Sequence, residues 1–199
     1  MISCKLIWIM ATSLKSIKHV ILTGPPGVGK TTLIQRVTEK LQSYSVSVQG
    51  FYTEEVRGGH GKRVGFDVVT LDGKRGTLAR VSQGGSGGYR VGQYKVDLSS
   101  FEHTALPVLA TKKTEGKSPI YVIDEIGKME MFSDSFKVQV QSILNQGITV
   151  LATIPIPKAR PLLFVEEIRS RQDVKIFTVT KENRDNLLTN IVDTIMEIK

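Results

Sequence analysis

The chain is almost without cysteine. Among its 199 residues Cys4 stands alone, so no intramolecular disulfide can form and no cysteine-based metal cage can be built. A reducing compartment suits such a chain, and cytoplasmic residence is the expectation that follows. The three histidines, His19, His60 and His103, share no metal-ligand spacing with one another or with Cys4. Long apolar runs are missing too: the most hydrophobic stretch, Leu6 to Ala11, is a fraction of the roughly 20 residues a spanning helix needs. No membrane association is expected. Acidic residues are absent until Glu39, and the first twenty residues carry Lys5, Lys15 and Lys18 beside the apolar patch. That combination has some likeness to a targeting segment, which makes mitochondrial delivery the alternative location. No small-residue cleavage site stands out, so residues 1–14 are read as a flexible N-terminal extension to a single domain over residues 15–199.

What the chain does hold is an ordinary globular mixture, 40% hydrophobic and 23% charged, long enough to bury one full core. Lys and Arg number 27 against 19 Asp and Glu, a net charge of +8. Two readings stay open: a basic surface that keeps the protein in solution, or polyanionic partners such as nucleotides or nucleic acid.

Hydrophobic periodicity orders the chain into alternating strands and helices. Ile17 to Thr23 reads as a short buried strand, since Val20, Ile21 and Leu22 run straight into a Gly/Pro cluster. A helix follows from Lys30, with Leu33, Ile34, Val37 and Leu41 on one face. With a strand over Val46 to Val56 this makes the opening unit of a parallel α/β sheet. Asp72-Gly73, between β-rich runs at Arg63–Leu71 and Lys74–Val81, predicts a hairpin and hence an antiparallel insertion. Four glycines in six residues from Gln83 to Gly88 predict a mobile loop, and Tyr89 to Val96 one more strand. Ser99 and Glu102 have capping-box spacing for a helix toward Thr111, bent at Pro107. Beyond it come a strand at Ile120–Ile123, a helix from Ser133, a strand over Ile148–Ile154 and a helix with Pro161 in its first turn. A strand over Val174–Val179 and a last helix capped by Thr180 complete the order. The fold class predicted is α/β, a three-layer sandwich with a mostly parallel sheet and an antiparallel β-hairpin insertion.

The chemistry is concentrated in two segments. Gly24, Pro25, Pro26, Gly27, Val28, Gly29, Lys30 and Thr31 match the phosphate-loop pattern G-x-x-x-x-G-K-[ST] without a departure. Such a loop turns its backbone N–H groups onto an anion, and the helix that follows adds its positive dipole end. Lys30 is expected to reach the β- and γ-phosphates, the Thr31 hydroxyl to ligate Mg²⁺, and Thr32 to stand in the first helical turn. The second segment is the apolar strand Ile120, Tyr121, Val122, Ile123, which ends in Asp124 and Glu125. Asp124 is assigned to Mg²⁺, and Glu125 to orienting and deprotonating an attacking water. A general base for water favours hydrolysis over phosphoryl transfer to another substrate.

Thr153 ends a predicted strand and is placed beside the phosphate loop, where its hydroxyl steers water or merely caps the strand. Arg57, Lys128, Arg160 and Arg184 are candidate cations for transition-state charge, with no order among them. The basic tip from Arg57 to Arg63 is a solvated hairpin loop or a contact for nucleic acid. No aromatic clamp for a base can be assigned, and Asn183 and Arg184 are the candidates for contacts beyond the phosphates.

Four stretches occur in order: Leu22 to Thr32, Gly50-Phe-Tyr-Thr-Glu-Glu-Val-Arg57, Val122-Ile-Asp-Glu-Ile-Gly-Lys-Met-Glu130 and Thr180-Lys-Glu-Asn-Arg184. Together they resemble the thermostable nucleoside-triphosphate phosphatase family from about Ile17 to the end. The resemblance implies a monomeric, RecA-like P-loop fold that hydrolyses ATP, GTP, CTP and UTP to diphosphate and phosphate, slowly and with little base preference. It places nucleotide contacts in the phosphate loop and in the segment Ile120 to Gly127, which includes Ile126. Two other functions share these motifs: a P-loop kinase of a small molecule or polynucleotide, and a nucleotide-gated nucleic-acid-binding module.

Overall fold

The computed structural model describes residues 16–82, 87–110, 118–157 and 159–199. The expected extension over residues 1–14 and the first four positions of the glycine-rich loop, Gln83 to Ser86, lie outside them.

The first strand, β1 (His19–Thr23), is buried at all five positions, as an apolar run with neighbours on both sides must be. The helix α1 (Lys30–Ser43) buries Leu33, Ile34, Val37 and Leu41, the face its periodicity defines. Next come β2 (Val48–Arg57), β3 (Arg63–Thr70) and β4 (Arg75–Val81), joined at Asp72-Gly73 as predicted. Tyr89 to Val96 is not one strand but a tight hairpin, β5 (Arg90–Val91) and β6 (Tyr94–Val96), because Gly92 takes φ 57° and reverses the chain.

The helix α2 (Leu98–Leu109) has its N-cap two residues earlier than the capping-box spacing suggests: Asp97 is the N-cap and accepts from the Ser100 amide. Ser99 lies inside the helix, while the Ser100 hydroxyl accepts from the Thr77 amide and the Glu102 carboxylate accepts from the Ser133 hydroxyl at 2.5 Å. Then follow β7 (Ile120–Ile123), α3 (Asp134–Asn145) capped by Ser133, and β8 (Val150–Ile154). The helix α4 (Leu163–Ser170) has Leu162 as N-cap, so Pro161 precedes it rather than standing in its first turn. After β9 (Val174–Thr178), Thr180 and Asn183 exchange hydrogen bonds that close a turn, and the regular helix α5 (Leu187–Ile198) begins only at Leu187.

The strands form one sheet of nine in the order β5-β6-β4-β3-β2-β7-β8-β1-β9. Its half from β2 to β9 is parallel; β3 turns antiparallel to β2, and the insertion extends the same sheet. One face is covered by α2, α3 and α4 over Phe51, Tyr121 and Ile123, with Phe101 and Phe136 in edge contact at 5.3 Å. The other is covered by α1 and α5 over Val20, Leu22, Val122 and Leu151. That is a three-layer sandwich. From β1 the chain crosses to β2 on one side, whereas β8 leads to β9 on the other. The reversal opens a crevice at the carboxyl ends of the central strands, where α/β sheets bind ligands.

Candidate active site

The phosphate loop spans the gap between β1 and α1 and ends at Gly29, the N-cap of α1, whose φ of 104° is a left-handed value that a side chain would oppose. Gly29 has no side chain to cap the helix, so the first amides of α1 point outward as anion donors. Gly24 is fixed by space instead: a Cβ there would meet the Val179 carbonyl at 2.4 Å. Lys30 is buried, and its ammonium donates to the carbonyls of Gly24 and Pro25 at 2.9 and 3.2 Å, inside the curl where a phosphate would lie.

β7 brings the acid pair to the same crevice. The Asp124 amide donates to Phe51 on β2, and the Ile126 amide to Thr153 on β8, so both neighbouring strands fasten the turn. The Asp124–Glu125 peptide is cis. Asp124 is 1% exposed. Burial pushes its carboxyl above the usual range, against the Thr153 and Thr31 hydroxyls and the Lys30 charge, which favour the ionised form. The Thr153 hydroxyl donates to Asp124 Oδ1 at 2.5 Å, and Oδ2 is buried without a hydrogen-bond partner. The Thr153 proton is thus committed to holding Asp124. Glu125, half-buried, lines a cavity of about 560 Å³ together with Lys128, Arg160, Pro155, Ile156 and Leu162.

A further acid sits below the pair. Glu130 is 4% exposed, and its carboxyl is pushed up to about 8, by burial first and then by the Glu125 charge. Sequence reading placed Glu130 in a motif without a task. An acid set among Met129, Met131 and Phe132 was the available signal that it turns inward.

Comparison with known proteins decides what this arrangement belongs to. The sequence profile of the family described as NTPase matches residues 19–192. The chain is 59% identical over 181 residues to the cancer-related nucleoside-triphosphatase homolog of Bos taurus, covering 88% of this chain and 95% of that one. It is 41% identical over 176 residues to nucleoside-triphosphatase THEP1 of Thermotoga maritima, covering 88% and 94%. The chain belongs to the nucleoside-triphosphatase family. The solution structure of the human cancer-related nucleoside triphosphatase superposes with a TM-score of 0.80 at 56% identity, covering 91% of this chain and 98% of that one.

Within this nucleoside-triphosphatase the remaining candidates separate. Arg184 reaches the phosphate loop, donating to the Val28 carbonyl at 3.2 Å and sharing a cavity of about 230 Å³ with Gly29, Thr32 and Arg36. Asn183 spends its side chain on its own turn, accepting from the Thr180 amide and donating to the Thr178 carbonyl. Lys128 and Arg160 share a cavity with Glu125. Arg57 does not join them: it ion-pairs with Glu55 at 2.6 Å and donates to Gly61 at the hairpin tip. It stands six residues past Phe51, the partner of Ile123, which is about 20 Å along the strand.

Proposed function

We propose that this enzyme hydrolyses nucleoside triphosphates of any base to diphosphate and phosphate, slowly and with Mg²⁺, using Glu125 as general base. The observation that carries the reading is the division of the acid pair: Asp124 is buried beside Thr31 and Lys30, while Glu125 lines a cavity that Lys128 and Arg160 also line. The donor set fits a hard divalent cation. Asp124 presents a buried, unpartnered oxygen next to the Thr31 hydroxyl, and no group of three or more His, Cys, Asp or Glu side chains converges among the described residues. Such a site leans on one carboxylate, one hydroxyl and the substrate phosphates, the manner in which Mg²⁺ is held. When bound, the ion neutralises phosphate charge and polarises the γ-phosphoryl group.

The chain's own groups then have separate tasks. Loop amides and Lys30 hold the β- and γ-phosphates, Thr153 orients Asp124, and Glu125 takes a proton from the attacking water. Lys128, Arg160 and Arg184 offset negative charge, a reading supported by Lys128 and Arg160 lining the Glu125 cavity and by Arg184 reaching the Val28 carbonyl. These contacts address phosphate, and the Asn183 side chain holds its own turn through both its oxygen and its nitrogen, which supports broad base use. Residues 15–199 act as one domain and a monomer, in the cytoplasm. The net charge of +8 supports nucleic acid as an additional partner.

The test is phosphate release from ATP, GTP, CTP and UTP, with and without a chelator and with and without RNA. Values of kcat/KM are expected to be comparable. A preference beyond roughly a thousandfold, about 4 kcal/mol, requires a dedicated base pocket and contradicts the reading. Release that continues unchanged in chelator removes Mg²⁺ from it.

A further inference from the structure

The turn that leaves β7 contains two features that the reaction as described does not use, Glu130 and Gly127. Glu130 opens a short 3₁₀ turn, Glu130–Phe132, and its Oε2 accepts from the Gly127 amide at 3.1 Å. The same turn is closed by the Met131 amide on the Gly127 carbonyl and the Ser133 amide on the Glu130 carbonyl, at 3.1 and 3.0 Å. Gly127 is not among the positive-φ glycines, so backbone conformation does not call for glycine there. Space does. A Cβ on Gly127 would lie 2.5 Å from Glu125 Oε1 and 3.1 Å from Glu130 Oε2. A methyl group on Gly127 would therefore displace the Glu125 carboxylate, the free end of a flexible side chain, and press on the Glu130 carboxyl. A buried carboxyl is costly, and a well-packed apolar side chain fills such a space at less cost. A turn built for stability alone has no need of it.

We propose that Glu130 is a positioning residue: by holding the Gly127 amide it sets the turn that seats the Glu125 carboxyl in the active site. The inference rests on the reading of Glu125 as the general base. A displaced base about 1 Å from its working position is enough to lower turnover by about 100-fold. Glu130→Ala is expected to lower kcat by roughly 10- to 100-fold with KM and nucleotide affinity nearly unchanged, and Glu130→Gln, which keeps shape and acceptor, to recover most of that loss.

The decisive measurement is a double-mutant cycle on folded protein, with melting temperatures recorded for every variant. If Glu130 acts through Glu125, Glu130→Ala adds less than about twofold in the Glu125→Gln background. A full additional loss there, or unchanged kcat in Glu130→Ala alone, overturns the inference. Gly127→Ala provides a second route if Glu130→Ala does not fold: it retains Glu130 and fills the gap, so the same kcat loss and the same masking by Glu125→Gln are expected, and full turnover overturns the inference. Wild-type turnover in Glu125→Gln alone is a different signature, which removes the base assignment itself and the seat with it.

Discussion

Asp124 and Glu125 are neighbours in sequence and opposites in circumstance. The first is sealed between Thr153 and Thr31, and the second borders an open cavity. Both were legible because the phosphate loop and the acid pair are local patterns whose spacing survives in the primary structure. Their partners were not. The Thr153 contact and the meeting of Glu125 with Glu130 across Gly127 depend on strand register and turn closure, which no local spacing records. Lys30 illustrates a residue whose proposed task and surroundings agree, since its ammonium lies within the loop proposed to receive the phosphates. Lys30→Ala is expected to weaken triphosphate binding and to cut turnover by at least about 100-fold, as loss of a preorganised charge does. Melting temperature without nucleotide should hardly move. Turnover near wild type in this variant, with the fold intact, is the result that contradicts the assigned role.

At the scale of elements, sequence reading succeeded where one face decides and failed where two caps compete. The apolar stripe of α1 and a helix starting near Ser133 appear as predicted, and Ser133 proves to be the cap of α3. For α2, Asp97 and Ser99 both lie within reach of a helix start. The choice falls to Asp97 because Ser100 is drawn onto the Thr77 amide, a contact 23 residues away. Leu162 likewise displaces Pro161 from the first turn of α4. The α2 assignment has a measurable consequence: Asp97→Ala is expected to cost about 1 kcal/mol in chemical denaturation, and exposed Ser99→Ala less than about 0.5 kcal/mol. The reverse order would restore the capping box at Ser99.

For the whole molecule, alternation of strands and helices was enough to predict a parallel three-layer fold. That the hairpin insertion continues the same sheet, with β3 against β2, was not legible, because strand pairing is a tertiary choice. Two buried groups at opposite ends of that sheet tie stability to pH. His19, fully buried near Asp173, is lowered to about 4 by burial. The unfolded chain therefore takes up its proton first, and stability is lost as pH falls from about 6.5 toward 4. Glu130 works in the other direction. Its folded value near 8 lies above the ordinary 4.5, so the folded state keeps a proton the unfolded chain has released, and stability declines as pH rises toward 8. At about 1.4 kcal/mol per pH unit, the Glu130 share between pH 6.5 and 8 is about 2 kcal/mol. Unfolding of wild type and Glu130→Gln across that interval, without nucleotide, is expected to show the variant gaining this amount relative to wild type. Parallel curves would mean that Glu130 is ionised in the folded protein.

The central claim, that Glu125 activates the water that attacks a nucleotide held at the phosphate loop, is tested most directly by Glu125→Gln. Phosphate release and nucleotide affinity are measured on the same folded sample. Glutamine keeps shape and hydrogen-bonding capacity while Lys30, Thr31 and Asp124 remain. The expected result is a kcat lower by roughly 10²- to 10⁴-fold with nucleotide affinity within several-fold of wild type. Near-normal phosphate release from that variant is the result that contradicts the account.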